Sequence, residues 1–126
     1  MLQNTLPIND NPALVKCFEW INNNTSEDSA VVIHYALYDL AAIYISNRAV
    51  ISVTQGSMWA YIQNETSLVD GIVAAARVTL NNGPGAVYTV WWVSGKGWYG
   101  ISTLPSDFKE VYRSGEMAVY LFDPTV

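Results

Sequence analysis

The chain has 126 residues, 51% of them hydrophobic and only 13% charged, against about 25% charged in an ordinary soluble domain. Six Lys and Arg against eleven Asp and Glu leave a net charge of -5, so no excess of cations is present to neutralise nucleic-acid phosphate or to seat the chain on an anionic membrane. The length suits one domain, 1–126, built on one continuous core, with residues 1–10 read as a flexible lead.

The opening, MLQNTLPINDNP, has neither the basic n-region nor the apolar h-region of a secretory signal. No apolar run reaches the ~18 residues that span a bilayer, and ALYDLAAIYI is interrupted by Asp39. The sequence therefore reads as soluble: a cytosolic protein, or a soluble domain of a larger membrane protein whose spanning segments lie elsewhere.

Asn11 followed by Pro12 predicts a helix N-cap with proline at the first helical position, and Leu14, Phe18 and Ile21 then recur on one face. This helix carries the lone Cys17, which has no partner for a disulfide, a zinc knuckle or a CxxC pair and reads as a small buried apolar residue. The polar run Asn22 to Ser26 ends it. AVVIHY, from Ala30, is a β-branched run suited to a strand buried on both faces. ALYDLAAIYI predicts a short helix and RAVISV a second buried strand. Ser67 and Asp70 have capping-box spacing before LVDGIVAAARVTL, a long helix whose stripe is Leu68, Ile72, Ala75, Ala76 and Leu80, stopped by NNGPG. AVYTVWWV predicts a central third strand, and FKEVYRSGEMAVYLF a hairpin turning at Ser114 and Gly115. The expected fold is α/β, a three-layer sandwich with a mixed sheet: three parallel strands plus a C-terminal antiparallel hairpin.

Candidate chemistry gathers at the carboxyl ends of the parallel strands, where open α/β sheets bind ligands. SGKG lacks the four residues that a P-loop places between its first glycine and Gly-Lys, and NGPG is a helix stop rather than a dinucleotide fingerprint. His34, with Asp39 five residues on, has no second histidine or acidic cluster at ligand spacing, so no metal and no cofactor are implied. No G-x-S-x-G elbow surrounds Ser57 or Ser94, which argues against a serine hydrolase. In VWWVSGKGWYG, Trp91 and Trp92 alternate on a strand and read as core, whereas Trp98 and Tyr99 follow a turn and are candidates for stacking on a sugar, with Lys96 available for an anion.

Two stretches, ALVKCFEWINNNTSEDSAVVIHY and FKEVYRSGEMAVYLF, resemble segments of multispanning archaeal and bacterial glycosyltransferases. The first resembles the helix ending in W-I-x-x-N-T, acidic turn and V-V-I strand that follow the last membrane span; the second, the closing hairpin F-x-x-V-Y-x-x-G with its V-Y strand. In that family, relatives of protein mannosyltransferases and oligosaccharyltransferases that use lipid-linked sugars, the catalytic acids lie in membrane loops. The resemblance thus implies a non-catalytic, extracytoplasmic accessory domain whose partners are the membrane-embedded part of the same polypeptide and a glycan or lipid-linked sugar. No W-W-D-Y-G motif is present, and no active-site residue carries over. Asn23, Asn24 and Asn64 open N-x-Ser/Thr sequons, which matter only if the domain faces a glycosylating compartment. The competing expectation is a self-contained cytosolic enzyme or ligand-binding protein with a site formed by His34, Tyr35, Gln55, Ser57, Ser94 and Lys96.

Overall fold

The computed structural model of the chain describes residues 11–53, 67–94, 98 and 101–124, and within them a mixed α/β fold of three α-helices and a five-stranded mixed sheet. The expected lead 1–10 lies outside these residues, as do the side chains of Ser67 and Leu68.

Helix α1 (Pro12–Asn24) begins as its sequence dictates. Asn11 Oδ1 accepts hydrogen bonds from the backbone of Ala13 at 3.0 Å and Leu14 at 3.1 Å, satisfying two of the donors that a helix N-terminus leaves over. Leu14, Cys17, Phe18 and Ile21 are its buried stripe. The Cys17 thiol is pushed up to about 12 by burial, partly opposed by a hydrogen bond with the Ser114 backbone, so it is an apolar filler and not a nucleophile.

The last turn of α1 contains no basic residue, and its carbonyls are instead gathered by a distant arginine. Arg48 donates to Thr25 O at 2.8 Å, Asn22 Oδ1 at 2.8 Å and Ser46 O at 2.6 Å, with longer bonds to Asn22 O and Ser26 O. Asn47, at φ 63°, makes the turn that aims it there. A planar fork at a helix C-terminus serves both the orphan carbonyls and the dipole. Arg48→Ala is therefore expected to destabilise the fold by about 2 kcal/mol in urea titrations. Arg48→Lys should recover only part of this, because an ammonium cannot serve five acceptors in one plane.

Strand β1 (Ser29–His34) is buried at every residue. A single 3-10 turn, Tyr35–Leu37, leads into α2 (Tyr38–Tyr44), and β2 (Ala49–Val53) follows. Helix α3 (Ser67–Asn81) precedes β3 (Ala86–Trp92), and β4 (Phe108–Ser114) turns through Gly115 and Glu116 into β5 (Met117–Phe122). The sheet order is β2-β1-β3-β5-β4. β1 runs parallel to β2 and β3, and β5 runs antiparallel to β3 and β4. Gly115 takes φ 56°, which the tight turn requires and a side chain would oppose.

Two expectations are corrected. RAVISV is an edge strand, not a buried one: Ala49 and Ser52 are exposed and Val50 and Ile51 half-buried, because only β1 pairs with it among the described residues. Its apolar run resembles that of a central strand, but the order of the sheet is set by long-range pairing that a local run does not encode. Tyr35, expected to end the first strand, instead opens the 3-10 turn. In α3 the buried positions are Val69, Ile72 and Ala76, with Ala75 and Leu80 packed partly against the core. At the opposite edge β4 bulges between Glu110 and Tyr112 and exposes the charges of Lys109, Glu110 and Arg113, features that discourage strand addition there.

Helices α1 and α3 touch side chains of opposite parity. Trp20 of α1 stacks on Tyr112 at 5.4 Å and 16°, and Tyr112 pairs with Val119. Arg77 of α3 lies over the Phe122 ring at 5.7 Å and binds Asp107 at 2.9 Å. Val119 and Phe122, three residues apart on one strand, point to opposite faces.

Candidate functional site

Two features occupy the carboxyl end of the parallel strands. The first is an aromatic cap. His34 closes β1 and acts as N-cap of the 3-10 turn, its Nδ1 accepting from Ala36 N at 2.9 Å. A ring nitrogen that accepts is unprotonated, so the neutral ring carries its proton on Nε2. Burial lowers the pKa of His34 from 6.5 to about 4, and only 3% of the residue is exposed. At neutral pH it is an uncharged, immobilised imidazole.

Trp98 fills the space beside it. Its ring centroid lies 4.9 Å from His34, 5.0 Å from Trp91 at an edge-on 84°, and 5.9 Å from Trp92. The return of the chain is fixed by main-chain bonds: Trp98 and Ile101 form an antiparallel bridge, Ile101 N donates to Trp98 O at 2.9 Å, and Trp91 Nε1 donates to Ile101 O at 2.8 Å. Trp98 is 4% exposed. The stacking platform expected after the turn is thus not presented to solvent by Trp98. The aromatic rings bury one another, because the ends of β1 and β3 would otherwise leave the apolar edge of the core open to water. Trp91 is wholly buried, as its strand position predicts, while Trp92, on the other face, is half-buried with an indole N–H that meets no acceptor among the described residues.

The second feature is an open groove of about 680 Å³ lined by Asn11, Pro12, Ala13, Ser94, Arg113, Gly115 and Glu116. Val93 N donates to Glu116 O at 2.9 Å, which brings the hairpin tip beside Ser94 and the start of α1. Arg113 is held by Glu110 through Nη2 at 2.7 Å and Nε at 3.1 Å, a bidentate pair that keeps the Glu110 carboxyl below its usual range, and the Asn11 side chain already takes the N–H groups at the helix start.

The sequence-derived candidates therefore separate. His34 is in the cap, and Tyr35, 40% exposed, has its ring 4.7 Å from that of His34. Ser94 is exposed and lines the groove. Asp39 is exposed in the first turn of α2, whereas His34 is buried. Gln55, Ser57, Lys96, Tyr99 and Asn64 lie outside the described residues. Asn23 and Asn24 are exposed in the last turn of α1, but Asn24 Nδ2 donates to Trp20 O at 3.0 Å, and Thr25 Oγ1, the hydroxyl of the Asn23 sequon, donates to Ile21 O at 2.6 Å. Among the described residues no group of three His, Cys, Asp or Glu is placed to hold a metal ion.

Sequence reasoning missed the groove. Asn11–Pro12 and Ser114–Gly115 are legible separately as a cap and a turn, but only the packing of α1 on the β4–β5 hairpin brings them together, and the pairing of β3 with β5 adds Ser94. Set against known protein families, curated proteins and solved structures, the chain has no match.

Proposed function

We propose that this chain is a soluble accessory domain of a multispanning membrane protein of the glycosyltransferase kind, facing the extracytoplasmic side and not catalytic by itself. One observation carries the reading. The two stretches that resemble the glycosyltransferase segments, distant in sequence, lie against each other: Trp20 of the W-I-x-x-N-T element stacks on Tyr112 of the V-Y-x-x-G element at 5.4 Å. A stacked pair of this kind couples the two motifs energetically, which gives a physical reason for them to occur together in one domain. The same contact, with Arg77 over Phe122 on β5, supports a three-layer arrangement in which α1 and α3 cover opposite faces of the sheet.

The test is the encoded reading frame around Met1, read together with the mature N-terminus of the protein isolated from its own cells. Several apolar runs of ~20 residues joined in frame to this chain are the expected result. A native product that starts at Met1 and is recovered wholly from the soluble fraction would sink the proposal.

The groove beside Ser94, at the end of β3, favours a second reading, a self-contained ligand-binding protein. It predicts that same soluble product, together with loss of ligand binding in Ser94→Trp, a change that fills the groove without touching the core.

A further inference from the structure

Helix α3 ends at a chemically particular pair. Of the asparagines in the sequence, Asn82 alone is followed by glycine. Both residues are exposed, Gly83 has φ 134°, and apart from Gly83 and its two chain neighbours no heavy atom lies within 4 Å of the point where a β-carbon would stand. Asn82 also finishes the helix: its backbone N–H donates to Thr79 O at 3.0 Å and its side-chain Nδ2 to Val78 O at 2.7 Å. That second bond satisfies one of the carbonyls which a helix C-terminus leaves without a partner.

An asparagine side-chain amide is open to attack by the main-chain nitrogen of the next residue, and a β-carbon on that residue crowds the approach. Glycine has none. Asn11 is at the other extreme, because Pro12 has no N–H to deprotonate. We infer that Asn82–Gly83 is a site of spontaneous amide-to-acid conversion, and that the conversion uncaps α3.

The step balances with water as its only co-reactant. Gly83 N loses its proton and bonds to Asn82 Cγ. The Cγ–Nδ2 bond breaks, and Nδ2 leaves as ammonia with the proton that Gly83 gave up, closing a five-membered succinimide. Water then opens the ring at one carbonyl or the other, leaving aspartate or, with the main chain rerouted through the side chain, isoaspartate at position 82. The nitrogen that departs is the one that donates to Val78 O. A carboxylate in its place can only accept, so it faces the Val78 carbonyl as a second acceptor and sets a negative charge on the negative end of the helix dipole.

The experiment holds the full chain at physiological temperature in mildly alkaline buffer and follows each asparagine by peptide mass and by isoaspartyl methyltransferase labelling. Conversion at Asn82 is expected to outrun that at every other described asparagine and to rise with pH. Gly83→Ala should slow it by roughly tenfold or more. Because an alanine at φ 134° strains the turn, the wild-type and variant rates are also compared in urea, where only local crowding acts and the same order is expected. Asn82→Asp should melt below wild type at neutral pH and rejoin it once the carboxyl is protonated. An intact Asn82 amide in a folded chain whose Asn23 or Asn47 has converted would overturn the site. An Asn82→Asp protein that melts with wild type at neutral pH would overturn the uncapping.

Discussion

Trp98→Ala is expected to destabilise the fold by about 3 to 5 kcal/mol, as much as Trp91→Ala, even though Trp98 sits in a loop and Trp91 in a central strand. Burial decides the matter: 4% of Trp98 and none of Trp91 is exposed, and the two rings meet edge to face at 5.0 Å. Truncating either removes a large apolar surface from the core and leaves a space that the fixed main-chain bridge at Ile101 cannot close. Losses of this size are a large share of the 5 to 15 kcal/mol that holds a typical domain together. Urea titrations of the two single variants and the double variant are the measurement. Since the rings touch, the double variant should lose less than the sum of the singles. A Trp98→Ala protein within about 1 kcal/mol of wild type would mean that the loop is a peripheral recognition element, and the sugar-stacking expectation would return.

The parts of the fold legible in the sequence are those that local chemistry decides. Asn11–Pro12 marks the start of α1 because a side-chain acceptor and a residue without an N–H meet the needs of a helix N-terminus, and the structure shows both at work. The β-branched run of β1 is buried throughout, as such a run requires. What stayed hidden depends on partners far away in the chain. RAVISV and AVVIHY share most of their residues, yet one lies at the edge and the other inside the sheet, because position in a sheet is a property of pairing. Trp98 misled for a related reason. A Gly-Lys-Gly turn announces exposure for its neighbours, and the bridge to Ile101 that folds the indole inward cannot be read from either residue alone. Arg48 had no local signature either. Most of its acceptors lie at the end of α1, more than twenty positions earlier, and a lone arginine ahead of a strand does not declare them.

His34 gives the second large effect, a loss of stability in mild acid. Its imidazole titrates near 6.5 when the chain is unfolded and near 4 in the folded protein, because burial disfavours the charged ring. The contribution is fully present above about 6.5, falls as the pH drops towards about 4, and is gone below it. The total is about 3 kcal/mol, lost at roughly 1.4 kcal/mol per pH step inside that window. Protonation also changes the local bonding: Nδ1, which accepts from Ala36 N, becomes a donor facing a donor. Glu110 adds little here, since it is exposed and Arg113 holds its titration below the usual carboxylate range. Urea titrations at stepped pH on wild type and on His34→Asn separate the causes. Asparagine keeps an acceptor near the position of Nδ1 and favours the N-cap geometry, but it does not titrate. The variant should be flatter than wild type between about pH 6.5 and 4.5, and both should fall together once the carboxylates protonate. A wild-type curve as flat as that of His34→Asn would show that the ring charges within the fold without penalty, and the aromatic cap would then have to open around it.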